Sequence, residues 1–232
     1  MLIGAHVSTS GGLPKAVERG VETGSTAIQI FNQSPRMWRP TKYTEDDFKA
    51  FRAAMDDSPV DAVVIHAIYL INPGTRDPEM KAKALPALAH ALRVGDGIGA
   101  AGVVLHPGPV MKGEEYGPTT ERIAEFCKEA LADSDECKLL LENAAGANAV
   151  GGKFEHLHDL IELLDGDARV GVCIDSCHSH AANVRLQHRT RGGSPIRPPP
   201  SATCDRSAHA ASRGRLRRSI PSAGRNAAHG NQ

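Results

Sequence analysis

The chain lacks any apolar run approaching the roughly 18 residues that a membrane-spanning helix requires, so the sequence predicts no membrane segment. It also lacks a cysteine framework. Cys127, Cys137, Cys173, Cys177 and Cys204 are odd in number and irregular in spacing, and no apolar signal segment precedes them. That pattern reads as a reduced, cytoplasmic chain. Net charge is missing too, with 27 lysines and arginines against 27 acids, but the balance hides a division. Residues 183–232 hold ten arginines and a single acid, Asp205, which by subtraction leaves 17 bases and 26 acids in residues 1–182. An acidic body argues against holding nucleic acid through a broad electrostatic field, so phosphate affinity would have to come from a local site or from metal ions.

The 232 residues suit one α/β barrel, about 250 residues in typical cases, or two small domains. Patterning favours the barrel. From residue 2 to about 178, apolar runs of four to six residues rich in β-branched side chains alternate with longer amphipathic stretches, the signature of a parallel sheet. Strands are expected at Leu2–Val7, Ala27–Phe31, Ala62–Ala67, Gly102–His106, Lys138–Asn143 and Val170–Asp175. Helices are expected near 13–23, 44–56, 79–99, 118–132 and 154–164. Thr44 with Asp47 provides a capping acid three residues on, and Thr119 ahead of Arg122–Glu125 is an acceptable start for the fourth helix.

Polar residues close successive apolar runs: His6, His66, His106, Glu142 and Asp175 end the first, third, fourth, fifth and sixth. In a parallel barrel these are C-terminal strand ends, where active sites are built. One such histidine is more often a satisfied core residue than a ligand. Several converging on one rim, with His178 three residues further on, form a donor set suited to Zn²⁺ or a similar divalent ion. Metal ions sharing carboxylates would deprotonate a water and neutralise phosphate oxygens, and Glu142 is the natural bridge.

Specific strings then point further: Ile3-Gly-Ala-His-Val-Ser8, Arg36-Met-Trp38, His66 followed by Tyr69-Leu-Ile-Asn72, Leu105-His-Pro-Gly108, Leu141-Glu-Asn143, Lys153-Phe-Glu-His-Leu157 and Gly171-Val-Cys-Ile-Asp-Ser-Cys-His178. Together they closely resemble the endonuclease IV family over residues 2 to about 182. The resemblance implies a TIM (β/α)₈-type barrel, here with about six βα units, three zinc ions, and cleavage of double-stranded DNA on the 5′ side of abasic sites by a monomer. It further implies that His66, His106 and Glu142 hold the first zinc, that Glu142 and Asp175 supply half the second, and that His178 supplies one ligand of the third. By the same resemblance Arg36 and Tyr69 enter the DNA stack where the abasic nucleotide is flipped, a use of side-chain wedges that base extrusion makes reasonable. Read from sequence alone, they fit better as a loop arginine paired to an acid and a tyrosine on the core rim. Cys173 and Cys177 do not have Cys-x-x-Cys spacing and are expected to pack in the core. His156 and His158 belong to a helix, at the surface or behind the ligands.

After Ala182 the pattern stops. Residues 183–232 have no aromatic residue, few aliphatics besides alanine, five prolines and ten arginines, a composition that cannot offset its ordering entropy, so this basic tail is expected to be disordered. The histidine, Asp-x-His pair and late glutamate that complete the family's second and third zinc sites have no counterpart there. His188, His209 and His229 stand in surroundings that match no family motif. Codons for Val184–Arg189 can be chosen so that a one-base shift reads Tyr-Asp-Phe-Ser-Thr-Glu, like the family's continuation. A frameshift near codon 183 would therefore account for the change. Two other readings compete: a sugar isomerase or epimerase on a similar barrel, and a noncatalytic or nonfunctional product.

Overall fold

The computed structural model describes residues 1–182; the expectations made for the tail, including its disorder and the histidines at 188, 209 and 229, lie outside the described residues. Six strands alternate with helices: β1 (Gly4–His6), α1 (Leu13–Glu22), β2 (Ala27–Ile30), α2 (Glu45–Asp56), β3 (Ala62–His66), α3 (Pro78–Ile98), β4 (Gly102–Leu105), α4 (Tyr116–Leu131), β5 (Leu139–Glu142), α5 (Phe154–Leu163), β6 (Val170–Cys173) and α6 (Ser176–Ala181). All six strands are parallel and lie side by side in chain order, as repeated βα units dictate. Among the described residues β1 and β6 are the edges of this six-stranded arc of a TIM-type barrel. Leu2 and Ile3 at one edge and Val172 and Ile174 at the other are exposed.

Strand periodicity sorts the residues into two faces. Val63 and Ile65 of β3, Val103 and Leu105 of β4, and Leu139 and Leu141 of β5 point outward and are buried beneath the helices, where they join Leu88, Leu92, Ile123, Phe126 and Leu160. Burying each large side chain of this layer contributes about 1.5–3 kcal/mol. The opposite face starts with small residues, Gly4, Ala27, Ala62 and Gly102, and ends at the C-terminal rim in polar ones.

The helix ends follow local chemistry. The Thr44 hydroxyl accepts from the Asp47 N–H at 3.3 Å while the Asp47 carboxylate accepts from the Thr44 N–H at 2.8 Å, closing the expected capping box of α2. The start of α4 differs from expectation: it begins at Tyr116 with Glu115 as its N-cap, and Thr119 lies inside the first turn, donating to the Glu115 carbonyl at 2.7 Å. Six-residue α6 was not expected at all. Asp175 caps it, accepting from the His178 N–H at 2.8 Å, so the carboxylate that closes the sixth apolar run also turns the chain.

Candidate metal centre

The parity that buries Val63 and Ile65 against helices turns His66 to the other face, and the same register brings Glu142 and the first residue beyond β4, His106, to the same rim. His66 and Glu142 are buried, at 8% and 4% exposure, and His106 is partly open. Glu142 Oε2 lies 2.9 Å from His106 Nε2 and 3.5 Å from His66 Nε2, yet it takes part in no hydrogen bond. Burial alone would push this carboxyl up; the imidazoles of His106 and His66 outweigh that and hold it at about 2, so Glu142 is ionised at neutral pH. His66 Nδ1 sits 2.6 Å from the Ala67 carbonyl. A carbonyl can only accept, so Nδ1 carries a proton, and Nε2 faces Glu142. Donor atoms of His66, His106 and Glu142 all fall within 4.8 Å of one another.

Glu142, Asp175 and His178 form a second such group. His178 Nδ1 is 3.4 Å from Glu142 Oε1 and 3.8 Å from Asp175 Oδ2, but it donates to the Asn143 carbonyl at 2.8 Å, which leaves Nε2 outside that bond. Asn143, buried at 2% exposure, ties this corner together: its Nδ2 donates to the Asp175 carbonyl and Ser179 hydroxyl, and its Oδ1 accepts from the Asp175 N–H at 2.6 Å. It thus fixes β5 against the start of α6, a role that sequence reading missed although Asn143 follows Glu142 directly.

The donor set fits a divalent metal. A buried ionised carboxylate with one oxygen free of hydrogen bonds, set between two imidazole nitrogens, suits a bound cation. Two histidines and a carboxylate are also the ligand types of zinc sites.

Around these groups lies an aromatic rim. Phe31 is 4.5 Å from the His6 ring, 5.3 Å from His66 and 5.3 Å from Tyr69, centroid to centroid. His6 shares a 2.9 Å hydrogen bond with Gln29, and burial with the neighbouring His66 holds it below the usual histidine range. Tyr69 is half exposed, with its ring 5.3 Å from His66, and its N–H donates to the Pro35 carbonyl at 3.2 Å. This puts exposed Arg36, the next residue, on the same rim as Tyr69. Two expectations fail here. Cys177 is exposed and Cys173 only partly buried, because both belong to the edge strand and the short helix after it rather than to the helix-covered core. His158 is at the surface, as expected, and His156 accepts from the Gly151 N–H at 3.3 Å behind the rim.

The family model described as the xylose isomerase-like TIM barrel matches residues 17–197. A relative from Citrifermentans bemidjiense carrying the name "Probable endonuclease 4" is 38% identical over 192 residues, spanning 81% of this chain and 67% of its own. The chain belongs to the endonuclease IV family. The crystal structure of endonuclease IV from Thermus thermophilus superposes with a TM-score of 0.67 at 36% identity, covering 77% of this chain and 65% of that one. This family member therefore spans about two thirds of the length of its relatives. A D-tagatose 3-epimerase-like protein also matches, with a TM-score of 0.58 at 18% identity, and shares the fold alone.

Proposed function

We propose that this endonuclease IV family chain contributes a zinc-dependent site that cleaves the phosphodiester on the 5′ side of abasic sites in double-stranded DNA. The observation that carries the reading is Glu142: a buried, ionised carboxylate with an orphaned oxygen between two imidazole nitrogens. His66, His106 and Glu142 would hold the first zinc, Glu142 and Asp175 part of the second, and His178 one position of the third. Bound zinc supplies Lewis acidity, lowering the pKa of a bound water to about 7 and neutralising phosphate oxygens.

The chain's own residues do the rest. The Ala67 carbonyl orients His66, and the Asn143 carbonyl orients His178, so each presents Nε2. Arg36 and Tyr69, both exposed and joined through the Tyr69 N–H to Pro35 carbonyl bond, would enter the duplex and displace the damaged nucleotide. The loops following the strands add charge: Arg36, Arg39 and Lys42 after β2, Arg76 after β3, Lys112 after β4 and Lys153 after β5. Bases in these loops suit a polyanionic substrate. The acidic body is thus compatible with DNA, because most of its acids lie elsewhere.

The test is incubation of the zinc-loaded chain with a duplex carrying one tetrahydrofuran abasic analogue. The expected product is a single cut 5′ to the lesion with a polymerase-extendable 3′-hydroxyl, abolished by a chelator and absent with undamaged duplex. Zinc binding without cleavage would defeat the nuclease reading, and epimerisation of a free ketohexose would replace it.

A further inference from the structure

A cluster outside the metal centre joins two of the rim loops. Glu114, in the turn after β4, has a side chain only 9% exposed. Its Oε1 pairs with Arg76 Nε at 3.0 Å, and its Oε2 accepts from the Thr119 hydroxyl at 3.1 Å and pairs with the Arg122 guanidinium of α4. Arg122 reaches across to the other loop, donating from Nε and from its terminal nitrogen to the Gly74 carbonyl at 3.2 and 3.1 Å. A Cβ on Gly74 would come within 3.1 Å of Thr119, so the loop backbone lies directly against α4. One buried carboxylate therefore gathers two arginines, and both bind or belong to residues 67–77.

That segment is the loop that carries Tyr69. It leaves β3 at His66, exposes Tyr69, passes Asn72 beside Gly108, and is caught at Gly74 and Arg76 by the cluster. Tyr69 is bonded in turn to Pro35, next to Arg36. The geometry points to Glu114 and Arg122 as positioning residues: an ion-pair clamp that holds the Tyr69 loop, and through it Arg36, at a fixed height over the His66–His106–Glu142 group. This inference rests on the nuclease reading for its consequence in catalysis, though not for the clamp itself. A bidentate, largely buried arginine loses little rotamer freedom per bond and is well suited to fixing a loop. A wedge that must enter a duplex gains from being held in place before binding.

The clamp and its use separate in one experiment on the full chain. Amide exchange of residues 67–77 is compared in wild type, Glu114→Gln, Glu114→Asp and the milder Arg76→Gln, whose side chain is 60% exposed and so carries little folding risk. Alongside, zinc-loaded proteins are assayed on the abasic-analogue duplex and on bis(p-nitrophenyl) phosphate, which is too small to touch the wedge. Glu114→Gln is expected to speed exchange in 67–77 about tenfold or more with β2 and α1 unchanged. It should also lower duplex kcat/KM about tenfold and leave small-diester hydrolysis within about twofold. Glu114→Asp should recover part of the loss, and Arg76→Gln should fall between. Unchanged exchange in both Glu114→Gln and Arg76→Gln, or equal losses on duplex and small diester, overturns the clamp. If wild type cuts neither substrate, the nuclease reading fails, and the exchange data alone decide whether the clamp exists.

Discussion

The loops at the two ends of the β-arc belong to the same repeated unit and differ in charge balance. The six loops after the strands contain six bases, Arg36, Arg39, Lys42, Arg76, Lys112 and Lys153, against four acids, Asp77, Glu114, Glu115 and Asp175. Glu114 is engaged by Arg76 and Arg122, and Asp175 belongs to the candidate metal-binding group. The loops before the strands contain seven acids, Asp57, Asp61, Asp133, Asp135, Glu136, Asp165 and Asp167, against Lys138 and Arg169. Polar groups at this second end are also better satisfied. Asp96 accepts from the Ser134 hydroxyl and the N–H groups of Asp135, Glu136 and Cys137, and Arg169 donates to the Leu131 and Ser134 carbonyls. One end leaves Glu142 Oε2 orphaned and Tyr69 and Arg36 exposed; the other ties its turns to neighbouring elements. In a βα fold chemistry and stability can be assigned to opposite ends, because the sheet between them is common to both.

That division can be broken most sharply at Glu142. Glu142→Gln should lower abasic-duplex cleavage by roughly a thousandfold or more in single-turnover assays, since the carboxylate charge between His66 and His106 is gone. Its unfolding midpoint should stay the same or rise, because a buried charge is removed. A large fall in stability would mean that the carboxylate is structural.

The opposite end should answer the other way. Asp96→Asn is expected to cost about 1–3 kcal/mol in denaturant unfolding at pH 7, with cleavage at 25 °C within about twofold of wild type. Burial pushes the Asp96 carboxyl up, but its four hydrogen bonds outweigh this and hold it below the usual aspartate range. A depressed folded-state value means stabilisation that is complete above the unfolded value of about 3.9 and lost as pH falls through the folded one. The stability curves of Asp96→Asn and wild type should therefore converge below about pH 4, and a difference that persists there would assign the effect to packing. At the same end Gly95 faces Cys137, and an added Cβ would collide with its sulfur. Gly95→Ala should cost about 1–3 kcal/mol in thermal unfolding without changing cleavage.

Smaller effects belong to the exposed wedge. Tyr69→Ala should weaken binding to abasic duplex by about 1–2 kcal/mol, measured by anisotropy, while leaving zinc content unchanged. Arg36→Gln should reduce the slope of log affinity against log salt by about one, with only a few-fold loss of affinity. An equal change on Asp57→Asn would show that the charge separation between the two ends is without consequence.

Much of this architecture was legible in the sequence because the barrel repeats one simple rule. Apolar runs bounded by amphipathic stretches located all six strands to within a few residues, and the helix-facing set Val63, Ile65, Val103, Leu105, Leu139 and Leu141 follows from alternation. Errors came at the ends, where capping outranks pattern. β1 is confined to Gly4–His6, α4 starts at Tyr116 rather than Pro118, and α6 follows Asp175 as a capped turn that periodicity over six residues cannot reveal. The polar residues closing the runs were visible as a set. The hydrogen bonds of Asn143 and the grip of Arg122 on Gly74 were not, since they join residues 32 to 48 positions apart.

The sequence by itself determined the strand-and-helix alternation, the family, and the donor types His66, His106, Glu142, Asp175 and His178, because each depends on local spacing or on residue identity. Only the tertiary structure decided that these donors share one rim, that Glu142 is ionised and orphaned there, and that the loops at the far end are the more acidic. Those properties depend on parallel register and burial, which set the distance and the dielectric between residues that the chain keeps far apart.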